Sequence, residues 1–95
     1  MAPPQAINEL TAFKINTLAV ISDLGQDYGL AIKKELEDAY GKDVHHGRLY
    51  PNLDDLVEAG YVKKDEIDRR TNSYELTDEG REVLEEYAGW LQDRI

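Results

Sequence analysis

The chain has no cysteine and a single methionine among its 95 residues. The lack of cysteine excludes disulfide bonds, thiolate metal ligands and oxidant sensing through protein thiols. Long apolar runs are also missing, because no stretch approaches the roughly 18 residues of a membrane-spanning helix. No charged start followed by an apolar segment marks a secretory signal. We therefore expect a single soluble domain that has no membrane partner and works in the cytoplasm.

Basic residues are scarce and unevenly placed. Lys and Arg number 11 against 20 Asp and Glu, which gives a formal net charge of −9, and eight of the 11 cations lie within residues 28–74. An acidic protein repels phosphates, which argues against a nucleic-acid partner. A salt-rich cytoplasm is the second explanation, because molar salt shortens the Debye length to about 3 Å and screens repulsion between carboxylates. The placement of the cations must decide between the two.

The spacing of apolar residues predicts four helices. Thr11, Asp27 and Thr77 are the expected N-caps of the first, second and last helix, because their side-chain oxygens can accept hydrogen bonds from the open first turn. Glycines follow the first three helices and are expected to end them. The expected helices cover about 11–24, 28–40, 46–59 and 77–93, and residues 1–10 are expected to form a tail.

Two short runs break the helical pattern. Residues 61–64 and 73–76 contain β-branched or aromatic residues in near alternation, which predicts strands, and the polar segment 65–72 between them predicts a hairpin loop. Two helices joined by a short glycine-containing turn, then a hairpin and a further helix, are typical of a winged helix-turn-helix. We therefore predict a mainly α fold with a small β-hairpin wing and a C-terminal helix.

The chain resembles the PadR family of transcriptional regulators in four short motifs that occur in the family's order. The motifs are Tyr28-Gly29 at the second helix, Gly47-Arg48-Leu49-Tyr50-Pro51-Asn52-Leu53 on the third, Gly60-Tyr61-Val62 before the first strand and Tyr74-Glu75-Leu76-Thr77-Asp78-Glu79-Gly80 before the last helix. Each motif alone is weak, whereas the ordered set is specific. The acidic balance and the run 68–74 resemble the halophilic archaeal branch, which includes a regulator of the response to reactive oxygen species.

The resemblance implies a homodimeric repressor or activator that binds double-stranded DNA at a pseudo-palindromic operator. It implies a DNA-binding domain over residues 11–76, with a recognition helix (45–59) in the major groove and a wing (63–73) on the backbone or in the minor groove. Residues 77–95 are then a C-terminal dimerisation helix. The alternative is an acidic winged-helix adaptor that binds proteins and no DNA. An enzyme is not expected, because the chain has two serines, no cysteine and no glycine-rich phosphate loop.

The third helix carries the residues that fit DNA recognition. Arg48 offers a bidentate fork for guanine and Asn52 offers one for adenine. Tyr50 is expected either to hydrogen-bond a phosphate or to pack on the second helix. The first turn is expected to point at base edges and to hold a phosphate through backbone N–H groups; its residues are His45, His46 and Gly47. The adjacent histidines diverge and no third ligand is spaced to help, so no metal site or cofactor is expected.

Further cations and hydrogen-bond donors fall on the wing and on the second helix. The candidates for phosphate or minor-groove contact are Lys63, Lys64, Arg69, Arg70, Thr71 and Asn72 on the wing, and Lys33 and Lys34 on the second helix. A charged hairpin also protects a sheet edge against aggregation, which is the alternative interpretation. We favour DNA contact, because the basic groups fall on elements that the fold presents to DNA.

The last helix carries an apolar stripe that a small core does not cover, so a second copy of the chain is the expected partner. The expected dimer interface consists of Phe13 on the first helix and Leu84, Tyr87, Trp90 and Leu91 on the last. The alternative is that the last helix folds back onto the first helix of its own chain.

Several acidic residues lie near the predicted DNA surface and repel phosphates. They are Asp43, Asp54, Asp55, Asp65 and Asp68. We expect inorganic cations (K⁺ or Na⁺) to be held between these carboxylates and DNA. Cation uptake on binding flattens or reverses the usual loss of affinity with salt.

Overall fold

The computed structural model of the chain describes residues 9–95, so the predicted tail over residues 1–10 lies outside the described residues except at Glu9 and Leu10. Within them the chain forms four helices and three strands. Their bounds are α1 Ala12–Leu24, β1 Gln26–Tyr28, α2 Gly29–Tyr40, α3 His46–Glu58, β2 Val62–Asp68, β3 Thr71–Leu76 and α4 Asp78–Gln92. This order confirms the predicted winged helix-turn-helix, in which α2 and α3 form the helix-turn-helix and the β2–β3 hairpin is the wing.

Local chemistry sets the helix ends where the sequence predicts them. The hydroxyls of Thr11 and Thr77 each accept a hydrogen bond from the backbone N–H three residues later, at 3.2 and 3.1 Å, which confirms both N-caps. Gly25 and Gly41 follow α1 and α2 with φ of 82° and 70°, a region that residues with a side chain rarely adopt. The glycines therefore end these helices as predicted.

The wing is longer than predicted. Strand β2 pairs with β3 in antiparallel register up to Asp68 opposite Thr71, so the chain turns only at residues 69–70. The prediction of a loop over residues 65–72 is therefore wrong. Backbone hydrogen bonds continue the strand pairing through charged residues that do not alternate with apolar ones. The register shifts after Glu66, because β2 has one more residue than β3 in this part of the pairing.

A three-residue strand that the sequence pattern did not indicate, β1, pairs with β3 on the side opposite β2. Gln26 lies opposite Glu75 and Tyr28 opposite Ser73, which gives an antiparallel sheet in the order β1-β3-β2. The prediction that Asp27 caps α2 is wrong, because its backbone belongs to the sheet and Tyr28 precedes the helix. The Asp27 carboxylate instead accepts a 2.8 Å hydrogen bond from the backbone N–H of Tyr28.

The core lies where the first three helices meet the sheet. Leu18 of α1, Leu36 of α2 and Leu49 and Leu53 of α3 are all fully buried, at 0% exposure. Helix α1 contacts α2, α3, α4 and the sheet, so it is the central helix. Helix α3 packs one side against this core and turns its other side to solvent.

Helix α4 is fixed at its N-terminal end. The Thr77 hydroxyl donates a 2.6 Å hydrogen bond to the carbonyl of Gly60, and the Thr77 N–H donates to the carbonyl of Tyr61 at 3.1 Å. Gly80 is buried against the same Tyr61 carbonyl, in a space that a Cβ would overlap. Further along, Leu84 packs against the core. None of the helices within residues 9–95 is both long enough and apolar enough to span a bilayer.

Candidate nucleic-acid interface

One carboxylate holds the turn between α2 and α3. Oε2 of Glu37 accepts hydrogen bonds from the backbone N–H of Val44 at 2.9 Å and from the ammonium of Lys33 at 3.0 Å. The Val44 hydrogen bond and, after it, the Lys33 hydrogen bond lower the pKa of Glu37. Val44 is buried, so the entry into α3 is fixed. Lys33, predicted to contact DNA, is therefore engaged in this turn, whereas Lys34 is exposed.

The side of α3 that points away from the core carries no basic residue. Gly47, Pro51, Asp54 and Glu58 recur at three- and four-residue spacing and are all exposed, and we call them the outward face. A Cβ at Gly47 would meet nothing within 4 Å, and Pro51 has no N–H to donate to the Gly47 carbonyl. The first half of this face is therefore small and open, which lets a partner approach the backbone of α3. Basic side chains lie at its two edges.

Arg48 occupies one edge of α3, against the first turn of α1. Its guanidinium carbon lies 4.1 Å from the centre of the Phe13 ring. Its backbone carbonyl accepts a 2.6 Å hydrogen bond from the side-chain amide of Asn52, which is half-buried. Arg48 itself is exposed, and no carboxylate within residues 9–95 lies within 4.0 Å of its guanidinium. Its donors are therefore available to a partner.

Phe13 was predicted to lie in the dimer interface, and this prediction is wrong. Its side chain is 4% exposed and belongs to the chain's own core, beside the ring of Tyr40 at 6.2 Å and beneath Arg48. A side chain enclosed in this way has no surface left for a second copy. The helical apolar pattern indicates that a residue is covered, but it does not say whether the cover is a partner or the same chain.

The two histidines at the start of α3 have different surroundings, although both are exposed. The carbonyl of His45 accepts hydrogen bonds from the first-turn N–H groups of α3, whereas its side chain makes no capping hydrogen bond. The ring of His46 stacks on that of Tyr50, with centroids 5.5 Å apart and planes 5° apart. In the part of the chain that the structure describes, no three His, Asp or Glu side chains are grouped as metal ligands would be.

Tyr50 lies on the other edge of α3 and covers the start of α2. A Cβ on Gly29 would lie 2.6 Å from the Tyr50 hydroxyl oxygen and 2.8 Å from its ring. Gly29 is buried and its φ is not positive, so glycine is needed there for space rather than for backbone freedom. This contact joins the motif Tyr28-Gly29 to the motif that contains Tyr50. Packing of Tyr50 on α2 is thus confirmed, and its hydrogen bond to a phosphate stays a prediction.

The lysines of the wing are paired, whereas the arginines at its tip are not. Lys64 lies 3.7 Å from Asp54 on α3, and Lys63 lies 3.8 Å from Asp65 on its own strand. The arginines at 69–70 are exposed, and no carboxylate among the described residues lies within 4.0 Å of their guanidinium groups. Exposed ion pairs at these distances contribute little to stability, so the lysines can exchange carboxylates for other anions.

Asp68 fixes the turn at the wing tip. Its Oδ1 accepts a 2.9 Å hydrogen bond from the backbone N–H of Arg70. This bond and, after it, the hydroxyl of Thr71 lower the pKa of Asp68. The tip therefore holds its arginines on an ordered turn whose carboxylate stays charged.

A cavity of about 200 Å³ lies between the start of α2, the middle of α3 and the wing. The side chains that line it include Tyr28, Leu30, Tyr50, Arg70, Asn72 and Tyr74. Burial is the main reason that the pKa of Tyr74 is raised, and the charge of Asp54 adds to it, so this phenol stays protonated. Tyr28 and Leu30 are 48% and 66% exposed and were not among the predicted contacts. In the sequence Tyr28 stands out only as part of the motif Tyr28-Gly29, and Leu30 has no predicted role.

The structure brings the predicted contact residues together in two groups. The group on the wing side of α3 contains Tyr50, Lys64, Arg70, Thr71 and Asn72. Lys63 pairs with Asp65 on its own strand, and Arg69 is exposed at the wing tip, so neither is placed in this group. The group on the α1 side contains Arg48 and Asn52. Sequence reasoning missed Lys14 in the second group, which pairs with Asp55 at 3.1 Å. No local pattern indicates this pair, because it joins two helices that meet only in the folded chain.

The apolar stripe of α4 continues past the part that packs on the core. Leu84 packs against the core of its own chain, as expected for this residue if the last helix folds back onto its own chain. Tyr87 and Trp90 stack on each other with centroids 6.2 Å apart, and the guanidinium of Arg94 lies 4.1 Å from the Trp90 ring. Leu91 is 38% exposed. The second half of the stripe is therefore not used by the core.

Comparisons with known proteins agree with this architecture. H. salinarum RosR, from crystals grown in NaBr, is 52% identical with a TM-score of 0.88, and the match covers 90% of this chain and 77% of that one. The hsRosR-S1 complex is also 52% identical with a TM-score of 0.87, over 92% and 77%. A cysteine-to-serine mutant of MarR from E. coli, complexed with operator DNA, is 27% identical with a TM-score of 0.68, over 84% and 54%.

A search of curated proteins gives no match. The family model described as the transcriptional regulator PadR-like family matches residues 17–86, which is well over half of the chain. The match spans the helix-turn-helix, the wing and the first half of α4, and it includes all four motifs noted in the sequence. The chain belongs to the PadR-like family of transcriptional regulators.

Proposed function

We propose that this chain is a homodimeric cytoplasmic regulator that binds double-stranded DNA at a pseudo-palindromic operator in concentrated salt. The position of its available arginines carries the proposal. Arg48 at the edge of α3 and the pair at 69–70 on the wing tip are exposed and have no carboxylate partner among residues 9–95. These are the elements that a winged helix-turn-helix presents to a duplex. Family membership and the likeness to MarR support the same interpretation.

Base recognition is assigned to α3. Arg48 donates two hydrogen bonds to O6 and N7 of guanine. Asn52 gives one amide hydrogen to its own helix, but it keeps a second N–H and its oxygen, the donor and acceptor that adenine requires. The small outward face at Gly47 lets the backbone approach the groove, and His45 and His46 contact base edges or phosphates at the helix start.

Phosphate contacts are assigned to the wing and to the start of α2. The residues are Lys34, Tyr50, Lys63, Lys64, Arg69, Arg70, Thr71 and Asn72. Lys33 contributes indirectly. Its ammonium neutralises the carboxylate of Glu37 and so lowers the repulsion between that carboxylate and the phosphates of DNA. Phosphate contacts of this kind position the protein and carry no direct sequence information.

The second copy is assigned to the exposed half of the α4 stripe. Tyr87, Trp90 and Leu91 extend beyond the core, and Leu84 anchors the helix on its own chain while bordering the interface. Aromatic residues of this kind dominate the energy of protein interfaces. A two-fold dimer through α4 places two α3 helices on successive half-sites, which matches a pseudo-palindromic operator.

Inorganic cations complete the interface. Asp54 and Asp55 on α3 already have lysine partners at 3.7 and 3.1 Å, which shows how carboxylates beside this surface are neutralised within the chain. We infer that K⁺ or Na⁺ serves the remaining carboxylates, including Asp43 and Asp68, when phosphates approach. The net charge of −9 is then compatible with DNA binding in concentrated salt.

The experiment that tests DNA binding replaces Arg48 and Arg70 by alanine. Affinity for the duplex upstream of the chain's own coding sequence is measured by fluorescence anisotropy in concentrated KCl. We expect the double variant to lose binding while its mass in solution is unchanged. Arg81→Ala is the matched control, because Arg81 is an exposed arginine on α4, and it should bind as the unchanged protein does. Unchanged binding by the double variant would favour the adaptor function.

The salt dependence of operator affinity tests the proposed uptake of cations separately from DNA binding itself. Operator affinity is measured in a series of KCl concentrations, and we expect a flat or rising dependence on salt. In the double variant Asp43→Asn/Asp68→Asn the dependence should shift towards the usual loss of affinity with salt, because fewer cations are held. A steep loss for the unchanged protein would count against cation uptake.

A further inference from the structure

Arg48 and Phe13 form a contact between an exposed cation and a buried ring. The guanidinium carbon lies over the ring, 4.1 Å from its centre. Phe13 is 4% exposed, whereas Arg48 is exposed and has no carboxylate within 4.0 Å among residues 9–95. A guanidinium that rests on an aromatic face keeps its in-plane N–H donors for other partners. The contact therefore restrains the side chain without using up its donors.

The ring beneath Arg48 is itself held firmly. The carbonyl of Phe13 accepts a 2.7 Å hydrogen bond from the buried hydroxyl of Thr17, and the ring lies 6.2 Å from that of Tyr40. The Tyr40 hydroxyl accepts a 2.9 Å hydrogen bond from Asn16 on the same helix as Phe13. The ring is thus buried and packed between the start of α1 and the end of α2, with Arg48 of α3 above it.

The base of the Arg48 side chain is fixed as well. Its backbone lies in the first turn of α3, and its carbonyl accepts the 2.6 Å hydrogen bond from Asn52. Next to it on the same edge of α3, Asp55 is tied to Lys14 of α1 at 3.1 Å. Both ends of the side chain are therefore restrained before any partner arrives.

We propose that Phe13 is a positioning residue for DNA recognition, which holds the guanidinium of Arg48 in place for a bidentate contact with guanine. This rests on the proposed function, because it requires Arg48 to read a base. An arginine that is free in solution loses much rotamer freedom when it binds. Because the ring restrains Arg48 already in the folded protein, part of this side-chain entropy is lost on folding and not on binding. The affinity for the operator is therefore higher. Affinity for unrelated DNA, which depends on phosphate contacts, is unaffected.

The expected change in operator affinity is that of restraining one side chain. Fixing a rotamer-rich side chain at an interface changes affinity by about twofold to tenfold. Phe13→Leu removes the aromatic face and retains an apolar side chain, so it should weaken operator binding by about that factor. Phe13→Tyr retains the aromatic face and should bind close to the unchanged protein.

The test is a double-variant cycle of operator affinity with Phe13→Leu, Arg48→Ala and both together. We expect Phe13→Leu to weaken binding when Arg48 is present and to have no further effect when it is absent. Ile21→Val is the matched control, because it also shortens a buried side chain of α1 but does not touch Arg48, and it should leave affinity unchanged. An equal loss in both Arg48 backgrounds, or no loss in either, would overturn the proposal.

The outcomes separate this inference from the proposed function. If Arg48→Ala binds the operator as tightly as the unchanged protein, base reading by Arg48 is wrong and the positioning role of Phe13 is wrong with it. If Arg48→Ala loses binding and Phe13→Leu does not, only the positioning role fails. A measurement on the unchanged protein covers the case in which Phe13→Leu does not fold: the order parameter of the Arg48 Nε–H should exceed about 0.6 without DNA, and a lower value would contradict a restrained side chain.

Discussion

Two glycines on α4 are expected to respond in opposite ways to the same substitution. Gly80 and Gly89 both have ordinary helical backbone, since neither has a positive φ. Replacing glycine by alanine inside a helix is worth about 0.8–1.0 kcal/mol of helix propensity. At Gly89 a Cβ would meet nothing within 4 Å, and this residue lies on the acidic side of α4, away from the apolar stripe. Gly89→Ala should therefore stabilise the chain by roughly that amount.

At Gly80 the same Cβ meets backbone. It would overlap the carbonyl oxygen of Tyr61 and lie 3.0 Å from its carbonyl carbon, and a backbone group has no rotamer by which to move away. Overpacking of this kind costs about 1–3 kcal/mol. If α4 shifts to relieve it, the two hydrogen bonds of Thr77 to Gly60 and Tyr61 weaken, and each is worth about 1 kcal/mol. After the propensity gain is subtracted, Gly80→Ala should destabilise by about 2–4 kcal/mol.

Thermal unfolding followed by circular dichroism measures both changes, at one protein and salt concentration. A change of 1 kcal/mol shifts the midpoint by about 4–8 °C in a domain of this size. Gly89→Ala should raise the midpoint by about that much, and Gly80→Ala should lower it by roughly 10–30 °C. A rise for both variants would refute the close contact between α4 and the Tyr61 backbone.

Three further changes test other parts of the fold. The hydrogen bonds that lower the pKa of Glu37 give stability that is present above its ordinary value of 4.5 and is lost as the pH falls through the lower folded pKa. The unchanged protein should therefore lose more stability than Glu37→Gln in acid titrations followed by fluorescence. Gly29→Ala should displace Tyr50, whose ring can rotate away, and cost about 1–2 kcal/mol in denaturant unfolding. Leu91→Glu should lower the mass in sedimentation equilibrium with little effect on unfolding of the single chain, because Leu91 is 38% exposed.

The helices could be predicted because their signals are local. The caps at Thr11 and Thr77 bond to N–H groups three residues away, so the evidence for them lies within a few positions. Strand β1 could not be predicted in the same way, because three residues carry no measurable period and its partner β3 lies more than 40 residues along the chain. The length of the wing was underestimated for a related reason. Its backbone pairing continues through charged residues that do not alternate with apolar ones.

Within the candidate site, the types of residue could be predicted but their partners could not. The sequence identified Arg48 as a donor for DNA and assigned Phe13 to the dimer interface, and it did not indicate that one rests on the other. The pair between Lys14 and Asp55 was missed because it depends on the packing of α1 against α3. Local pattern shows that a side chain will be covered or charged, whereas tertiary packing decides what it touches.

The proposed dimer on DNA is tested by the stoichiometry of the complex in concentrated KCl. Sedimentation equilibrium of the chain with the duplex from its own upstream region gives the number of chains per duplex. The proposed function predicts two chains per duplex, and a dimer without DNA that dissociates in Leu91→Glu. A complex with one chain per duplex, or no complex at any salt concentration, would contradict it.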